Sequence, residues 1–75
     1  MVRYQVIYKF LRIRTGPSTE DECVGEYEKG DIINSGGIPF EGDDGRMWVS
    51  YTGGQTGVTR YVCYSEPGTQ YLRRI

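Results

Sequence analysis

The stretch Asp43–Val62, DDGRMWVSYTGGQTGVTRYV, limits the possible folds of this chain more than any other part. Its two halves, Arg46–Tyr51 and Thr59–Tyr64, are rich in aromatic and β-branched residues, which pack well on the pleated surface of a sheet. Glycines between the halves allow the positive φ or the bulge with which a chain reverses direction. The stretch therefore predicts a β-hairpin, with a turn at Asp43–Gly45 before it and a reversal that contains Gly53, Gly54 and Gly57.

Short strands separated by turns are predicted along the rest of the chain. Gly, Pro, Ser and Asp interrupt short apolar runs about every ten residues, a spacing typical of small β domains. The sequence has no helical periodicity of useful length and no internal repeat. Residues 1–75 suffice for one small domain, so we expect an all-β fold, a small and mostly antiparallel barrel or sandwich. The further predicted strands are Tyr4–Phe10, Leu11–Arg14, Cys23–Tyr27, a strand from Ile32 and one from Thr69.

The first two strands are expected to be separated by a bend. The apolar positions of Tyr4–Phe10 are out of phase by one residue with Leu11 and Ile13. Since successive side chains of a strand point to opposite faces, a bulge or bend near Phe10–Leu11 would turn both sets inward. The core predicted from this alternation consists of Val6, Leu11, Ile13, Val24, Ile33, Trp48, Val49 or Tyr51, and Val62.

The segment Ser35–Asp44 is rich in Gly, Pro and acidic residues and is predicted to be the longest irregular part of the chain. Loops of this kind often carry function.

The composition argues against several classes of function. Nine basic and ten acidic residues give a formal charge of −1, so there is no electrostatic reason to expect a nucleic acid or a membrane as partner. The absence of histidine removes the usual general base, the common nucleophile pairs and most zinc sites. The carboxylates of Glu20–Glu22, Asp43 and Asp44 lie in polar turns, where a solvated charge cluster is the usual explanation. We therefore expect no catalysis, no metal and no cofactor.

Two interpretations stay open for Cys23 and Cys63, which fit no CxxC pattern. We favour free thiols that act as small apolar residues, because the chain is not dense in disulfides; a disulfide between the two halves is the alternative.

The first residues, MVRYQVIYKF, mix polar and apolar side chains and predict neither a signal peptide nor a transit peptide. No apolar run approaches the ~18 residues of a membrane span. A chain that starts in this way is either made without a secretion signal or cut from a longer protein.

Two sets of motifs resemble those of the bacterial SH3 domains (SH3b). The run Leu11–Ser18, LRIRTGPS, with the later pairs Val24-Gly25 and Lys29-Gly30, is similar to L-x-V-R-x-G-P-S … V-G … K-G. The hairpin is similar to the D-G-x-x-W-x-S-Y … G-x-x-R-Y-V signature of SH3b modules in phage endolysins and lysostaphin-like cell-wall hydrolases. Together the motifs cover nearly the whole chain in the family's order. The matching residues of the hairpin are Asp44, Gly45, Trp48, Ser50, Tyr51, Gly57, Arg60, Tyr61 and Val62.

The resemblance implies an SH3-like barrel that acts as a non-catalytic cell-wall-binding module of a phage endolysin or a bacterial autolysin. Such a module is covalently linked to a separate peptidoglycan hydrolase domain and acts at the Gram-positive cell wall, after release from the host cytoplasm. Its implied partner is a stem or cross-bridge peptide of peptidoglycan. A peptide of this kind is extended and rich in small residues, so aromatic walls and backbone hydrogen bonds can hold it in a groove.

The resemblance also implies binding residues. The family binds through the tyrosine of the R-Y-V motif and an aromatic residue of the last strand, which correspond by position to Tyr61 and to Tyr71, where the family often has Trp. For each tyrosine, half-buried barrel packing is the competing explanation, since small β domains use Tyr in their strands. Arg60, likewise, either contacts a peptide carboxylate or lies on a solvated strand face. The remaining candidate contacts are Tyr4, Tyr8 and Asn34.

A protein–protein interaction module of the eukaryotic SH3 kind, which grips an extended or proline-rich peptide between aromatic side chains, is the alternative function. We favour it less, because the opening strand lacks the A-L-Y-D-Y run expected of that class.

Overall fold

Strands make up the secondary structure of this chain. The computed structural model describes residues 2–42, 45–53 and 57–75, and in these ranges it has nine strands and no helix, hence no helix with the length and apolarity to cross a membrane. The predicted turn residues Asp43 and Asp44, and Gly54 of the reversal, lie outside the described residues. The strands are β1 (Val2–Val6), β2 (Phe10–Arg14), β3 (Cys23–Glu28), β4 (Ile32–Gly36), β5 (Phe40–Glu41), β6 (Met47–Gly53), β7 (Val58–Glu66), β8 (Thr69–Gln70) and β9 (Leu72–Arg74).

The strands form two sheets that close around one core. The smaller sheet has the order β4-β1-β9, and the larger one has the order β3-β2-β7-β6-β5, with β8 added to β7. Every strand pair is antiparallel. The predicted fold class, a small antiparallel SH3-like β-barrel, is confirmed.

The long hairpin predicted from the central sequence is formed by β6 and β7. Val49 lies opposite Val62 and Ser50 opposite Tyr61 in its register. Both strands are longer than predicted, because the pairing continues to Gly53 on one side and to Val58 on the other. The opposed side chains of Val49 and Val62 are fully buried at the centre of the barrel.

A bend separates β1 from β2, as predicted, but it lies at residues 7–9 instead of at Phe10–Leu11. The N–H of Ile7 still donates to the carbonyl of Tyr71 at 2.9 Å, which continues the pairing of β1 with β9 by one residue before the bend. Because three residues lie outside the strands here, Val6 and Leu11 both point into the core despite their opposite phase.

The core contains most of the predicted residues. Ile13 and Tyr51 pack against it and are only partly buried, and Val24, a predicted member, is 43% exposed. The prediction for Val24 is wrong because Tyr27 and Gly25 lie opposite Leu11 and Ile13 and so have the inward phase of β3, which turns Val24 outward. The buried residues are Val6, Leu11, Ile33, Trp48, Val49 and Val62, as predicted, together with Tyr4, Cys63 and Leu72. The two cysteines form no disulfide, and Cys23 is exposed on β3.

The predicted irregular segment Ser35–Asp44 contains strand structure. β4 continues to Gly36, and the two residues of β5 pair with Met47 and Trp48 of β6. The last predicted strand is divided as well, because Tyr71 separates β8 from β9. Both departures place a partly buried aromatic residue, Phe40 or Tyr71, next to the central hairpin.

We predict that Gly36→Ala destabilises the barrel. A Cβ at Gly36 would lie 2.6 Å from a ring carbon of Tyr4, whose side chain is 1% exposed and has no room to move. Overpacking of this kind costs about 1–3 kcal/mol, or roughly 4–8 °C in melting temperature per kcal/mol for a domain this small. Thermal unfolding followed by circular dichroism measures the loss.

Gly37→Ala is the matched control for this prediction, because the nearest atom to its added Cβ would be the Ser50 carbonyl oxygen at 3.4 Å, an ordinary contact. If both variants melted at the same temperature, the packing of Tyr4 over Gly36 would not limit stability.

Candidate functional site

The outward side of the larger sheet carries aromatic and hydroxyl side chains. Val49 and Val62 point into the core, so their neighbours Ser50 and Tyr61, which lie opposite each other, point away from it. By the same alternation Thr52 and Thr59, a further opposed pair of the hairpin, share this side. We call this side of β6 and β7 the outer face.

Tyr61, the principal predicted binding residue, forms an aromatic pair with Phe40. The ring centroids lie 6.2 Å apart at an interplanar angle of 80°, an edge-to-face arrangement. Both side chains are partly buried, and the Tyr61 hydroxyl makes no hydrogen bond to any other described residue. The pair thus offers a fixed aromatic surface with one available donor and acceptor.

Tyr8 and Tyr71, two other predicted residues, form a second aromatic group. Their ring centroids are 4.9 Å apart at 73°, and the ring of Phe10 lies 6.3 Å beyond Tyr8. The guanidinium of Arg12 stands over the Phe10 ring at 5.4 Å from its centroid. Tyr8 and Phe10 are 38% and 42% exposed, so this group presents ring surface to solvent.

A carboxylate fixes the orientation of Tyr71. The Tyr71 hydroxyl donates a hydrogen bond to Oε1 of Glu66, and the same oxygen lies 3.6 Å from Nε of Arg46. The hydrogen bond to Glu66, followed by burial, raises the pKa of Tyr71 to about 12. Tyr71 is therefore a neutral donor at ordinary pH. In the described part of the chain no three or more His, Cys, Asp or Glu side chains gather as metal ligands.

The two aromatic groups lie beside different parts of β7. The Phe40–Tyr61 pair lies on the outer face of the hairpin, whereas Tyr71 lies between β8 and β9. Cys63 of β7 is buried, and its thiol is close enough to Tyr71 to contribute to the rise in its pKa. The structure pairs Tyr71 with Tyr8 and Tyr61 with Phe40, and a single binding face that contains all three predicted tyrosines stays a prediction.

An open groove of about 510 Å³ adjoins the outer face. Among the described residues of its walls none is charged, and Ile38 is 79% exposed. Ser50, the residue opposite Tyr61, connects the groove to the Phe40–Tyr61 pair. The lining residues are Val2, Gly36, Gly37, Ile38, Ser50, Tyr51, Thr52 and Thr59.

The groove follows an open edge of the larger sheet. β5 covers only Met47 and Trp48 of β6, and the N–H of Gly37 donates to the Ser50 carbonyl at 2.9 Å on the same side. Because backbone groups alternate along a strand, the N–H and carbonyl of Thr52 point to this side as well. No strand pairs with Thr52 there in the described ranges. The edge can therefore accept hydrogen bonds from an extended peptide and donate to it.

Tyr4 is a core residue, which corrects the expectation that it lines a groove. Its side chain is 1% exposed, its ring meets the Tyr64 ring edge-to-face at 5.9 Å, and its hydroxyl donates to the Gly37 carbonyl at 2.7 Å. Burial, followed by the proximity of Tyr64, raises the pKa of Tyr4. The ring points inward because it has the same phase as Val6, so it offers no surface to a ligand.

Asn34 and Arg60 lie apart from the aromatic surface, contrary to expectation. The Asn34 side chain is on the smaller sheet, where its Oδ1 accepts a hydrogen bond from Nε of Arg3 at 3.2 Å. Arg60 has the phase of Val62 and lies opposite Tyr51. The hydroxyls of Tyr51 and Tyr27 are hydrogen-bonded to each other at 2.9 Å, and burial, followed by this pairing, raises the pKa of Tyr51.

Phe40, Glu66 and the groove were not predicted as parts of the site. Phe40 belongs to a strand of two residues, which is too short to show alternation in the sequence. Glu66 precedes Pro67-Gly68, and a polar residue beside a predicted turn gives no reason to assign it to a site. The one signal in the sequence was the position of Phe40 between Pro39 and Glu41, because an aromatic side chain in a polar segment needs a packing partner.

Comparisons with known proteins give a structural likeness. No family model matches the chain, and no curated protein matches it. A solved structure described as "The crystal structure of Ly7917" is 25% identical over 97% of the chain, with a TM-score of 0.73. Another, "The crystal structure of Ly7917 with the hydrolyzing product of MDP", is 25% identical over 99% of the chain, with a TM-score of 0.75. The chain spans about a third, 32%, of the length of each solved chain.

We predict that Glu66→Gln lowers the pKa of Tyr71. The carboxylate of Glu66 raises this pKa by accepting the hydroxyl proton in a hydrogen bond and by its charge, and an amide removes the charge. In wild type, Tyr71 should ionise near pH 12, above the ordinary tyrosine value of about 10. Ultraviolet titration of tyrosinate, as the difference between each protein and its Tyr71→Phe derivative, isolates this residue.

The hydrogen bond between Tyr71 and Glu66 also makes the folding stability depend on pH. A folded-state pKa raised above the unfolded value contributes stability below about pH 10 that is lost as the pH rises towards 12. An identical titration midpoint for Tyr71 in wild type and Glu66→Gln would contradict the hydrogen bond.

Proposed function

We propose that this chain is a non-catalytic peptidoglycan-binding module of a phage endolysin or a bacterial autolysin. It would position a separate hydrolase domain on the Gram-positive cell wall by holding a stem or cross-bridge peptide. Tyr61 and Tyr71 are the proposed principal contacts, with Tyr8 beside Tyr71. The proposal extends the SH3b resemblance of the sequence to an aromatic surface that the fold assembles from distant residues.

The observation that carries the proposal is the likeness to Ly7917 over nearly the entire chain. One of the two Ly7917 structures contains the hydrolysing product of MDP, a muramyl dipeptide, which is a fragment of peptidoglycan. Since the chain spans 32% of that protein's length, the likeness suits a module within a longer cell-wall protein. The covalently linked hydrolase is part of the proposal.

The outer face has the chemistry that such a peptide needs. The Phe40–Tyr61 pair gives flat aromatic contact, and the uncharged groove beside Ser50 can take small side chains. The open edge at Thr52 supplies backbone hydrogen bonds to an extended chain, in the manner of strand addition. Aromatic contact and backbone pairing together select an extended peptide with small residues over a bulky or helical one.

The decisive measurement is binding to purified peptidoglycan from which covalently attached anionic polymers have been removed. Tyr61→Ala and Tyr71→Ala should each weaken binding by about 1–3 kcal/mol, as truncation of an aromatic anchor does at other interfaces. Binding should change little between low and moderate salt, because the proposed contacts are uncharged. Val24→Ala, which truncates an exposed apolar residue on β3, is the matched control and should bind like wild type.

Circular dichroism and thermal melting must show that each variant is folded before its binding is counted. Wild-type binding by both folded tyrosine variants would contradict the site. Failure of the wild-type chain to bind peptidoglycan from any Gram-positive species would contradict the function, and tight binding of a proline-rich peptide instead would favour the interaction-module alternative.

A further inference from the structure

The charges of this nearly neutral chain are unevenly distributed between the two sheets. The strands of the smaller sheet, VRYQV, IINSG and LRR, contain three arginines and no acidic residue. The strands of the larger sheet contain both signs of charge, with four glutamates (Glu26, Glu28, Glu41 and Glu66) and three arginines (Arg12, Arg14 and Arg60). A net charge of −1 therefore conceals a basic surface on one side of the barrel.

Two of these arginines share the outward side of the smaller sheet. Tyr4 and Val6 point into the core, so Arg3 and Gln5 of β1 point outward. Arg73 lies opposite Gln5 on β9 and shares its side. Arg3 and Arg73 are thus diagonal neighbours on one face, with backbones roughly 7–8 Å apart. We call the surface formed by Arg3, Gln5, Asn34 and Arg73 the arginine face.

Neutral amides, and no carboxylates, hold both guanidinium groups. Nε of Arg3 donates to Oδ1 of Asn34 at 3.2 Å, and Nε and Nη2 of Arg73 donate to Oε1 of Gln5 at 3.2 and 3.0 Å. Within the described ranges neither arginine forms an ion pair. Asp31, which precedes β4 and so lies three residues before Asn34, accepts a hydrogen bond from the backbone N–H of Glu28 at 2.7 Å. Both positive charges are therefore oriented but not neutralised.

The arginine face presents only hydrogen-bond donors. The amide oxygens of Asn34 and Gln5 face the arginines, so their NH₂ groups and the remaining guanidinium N–H groups are left to bind a ligand. A matching ligand has acceptors and repeated negative charge. Phosphodiester groups meet this requirement and suit the planar fork of arginine, which can bind two phosphate oxygens at once.

We propose that the arginine face binds a polyol-phosphate polymer, with successive phosphodiesters on Arg3 and Arg73. A nucleic acid fits less well, because this face has no aromatic side chain on which bases could stack. The ligand and the surface differ from those of the proposed peptide site, so the inference does not depend on that function.

The test is titration of the isotope-labelled chain with poly(glycerol phosphate) of defined length at low salt, followed by NMR of the arginine Nε–H groups. The Nε–H signals of Arg3 and Arg73 should shift, and those of Arg12 and Arg60, on the other sheet, should not. For two phosphates, log K should fall with log salt with a slope of about −1.4, on the single-strand coefficient of roughly 0.7 per phosphate.

Matched variants separate the arginine face from net charge. The double variant R3Q/R73Q should bind the polymer at least about tenfold more weakly, equivalent to ~1.4 kcal/mol. K9Q/K29Q changes the net charge equally, at two exposed lysines elsewhere, and should stay within about twofold of wild type. Tyr61→Ala should bind the polymer normally, so loss of the peptide site and loss of this site are distinguishable.

The inference would be overturned if the signals of Arg3 and Arg73 did not shift, or if both double variants weakened binding equally. It would also be overturned if poly-glutamate or oligo-dT of equal charge bound as tightly as the polyol phosphate. Because the NMR arm uses the wild-type chain, it decides the question even where R3Q/R73Q does not fold.

Discussion

Burial of Tyr4 is the interaction on which the rest of the barrel depends. Its ring lies between Gly36 of its own sheet and Tyr64 of the larger sheet, and its hydroxyl satisfies the Gly37 carbonyl. A chain of 75 residues buries few large side chains, so one that contacts both sheets contributes a large share of the core. An unpaired hydroxyl in that position would cost about 1–3 kcal/mol, a serious fraction of the ~5–15 kcal/mol stability of a typical domain.

The same residue shows where sequence reasoning succeeds and fails. Alternation identified Leu11, Val49 and Val62 as core, because each sheet buries one side and a strand can satisfy that constraint in only one phase. Tyr4 also had the inward phase, but a tyrosine suits a core or a binding surface equally. Its partner carbonyl, Gly37, lies 33 residues away in sequence, so no local pattern could reveal that the hydroxyl was satisfied.

The candidate site was predictable to the extent that it depends on strand phase. Tyr61 was predicted from its place in the R-Y-V motif, and its alternation with the buried Val62 turns it outward, whereas Phe40, its ring partner, belongs to a strand of two residues that is defined only by its pairing with β6. The prediction for Val24 was wrong for the same kind of reason, since the side on which it lies is set by the pairing of β3 with β2, a tertiary contact. Local alternation therefore specifies the central strands well and the short edges poorly.

The pairing of β1 with β9 has a consequence for how the barrel forms. The side chains of Gln5 and Arg73 are hydrogen-bonded although the two residues are 68 positions apart in sequence, and β1 lies between β4 and β9 in the smaller sheet. The hairpin of β6 and β7 involves only neighbouring sequence, so it can form early, whereas β1 gains its second partner only when the last strand is present. Because long-range pairing carries the loop-closure entropy of nearly the entire barrel sequence, we expect docking of β9 onto β1 to be the slow step of folding. During synthesis, β9 must therefore leave the ribosome before the barrel can close.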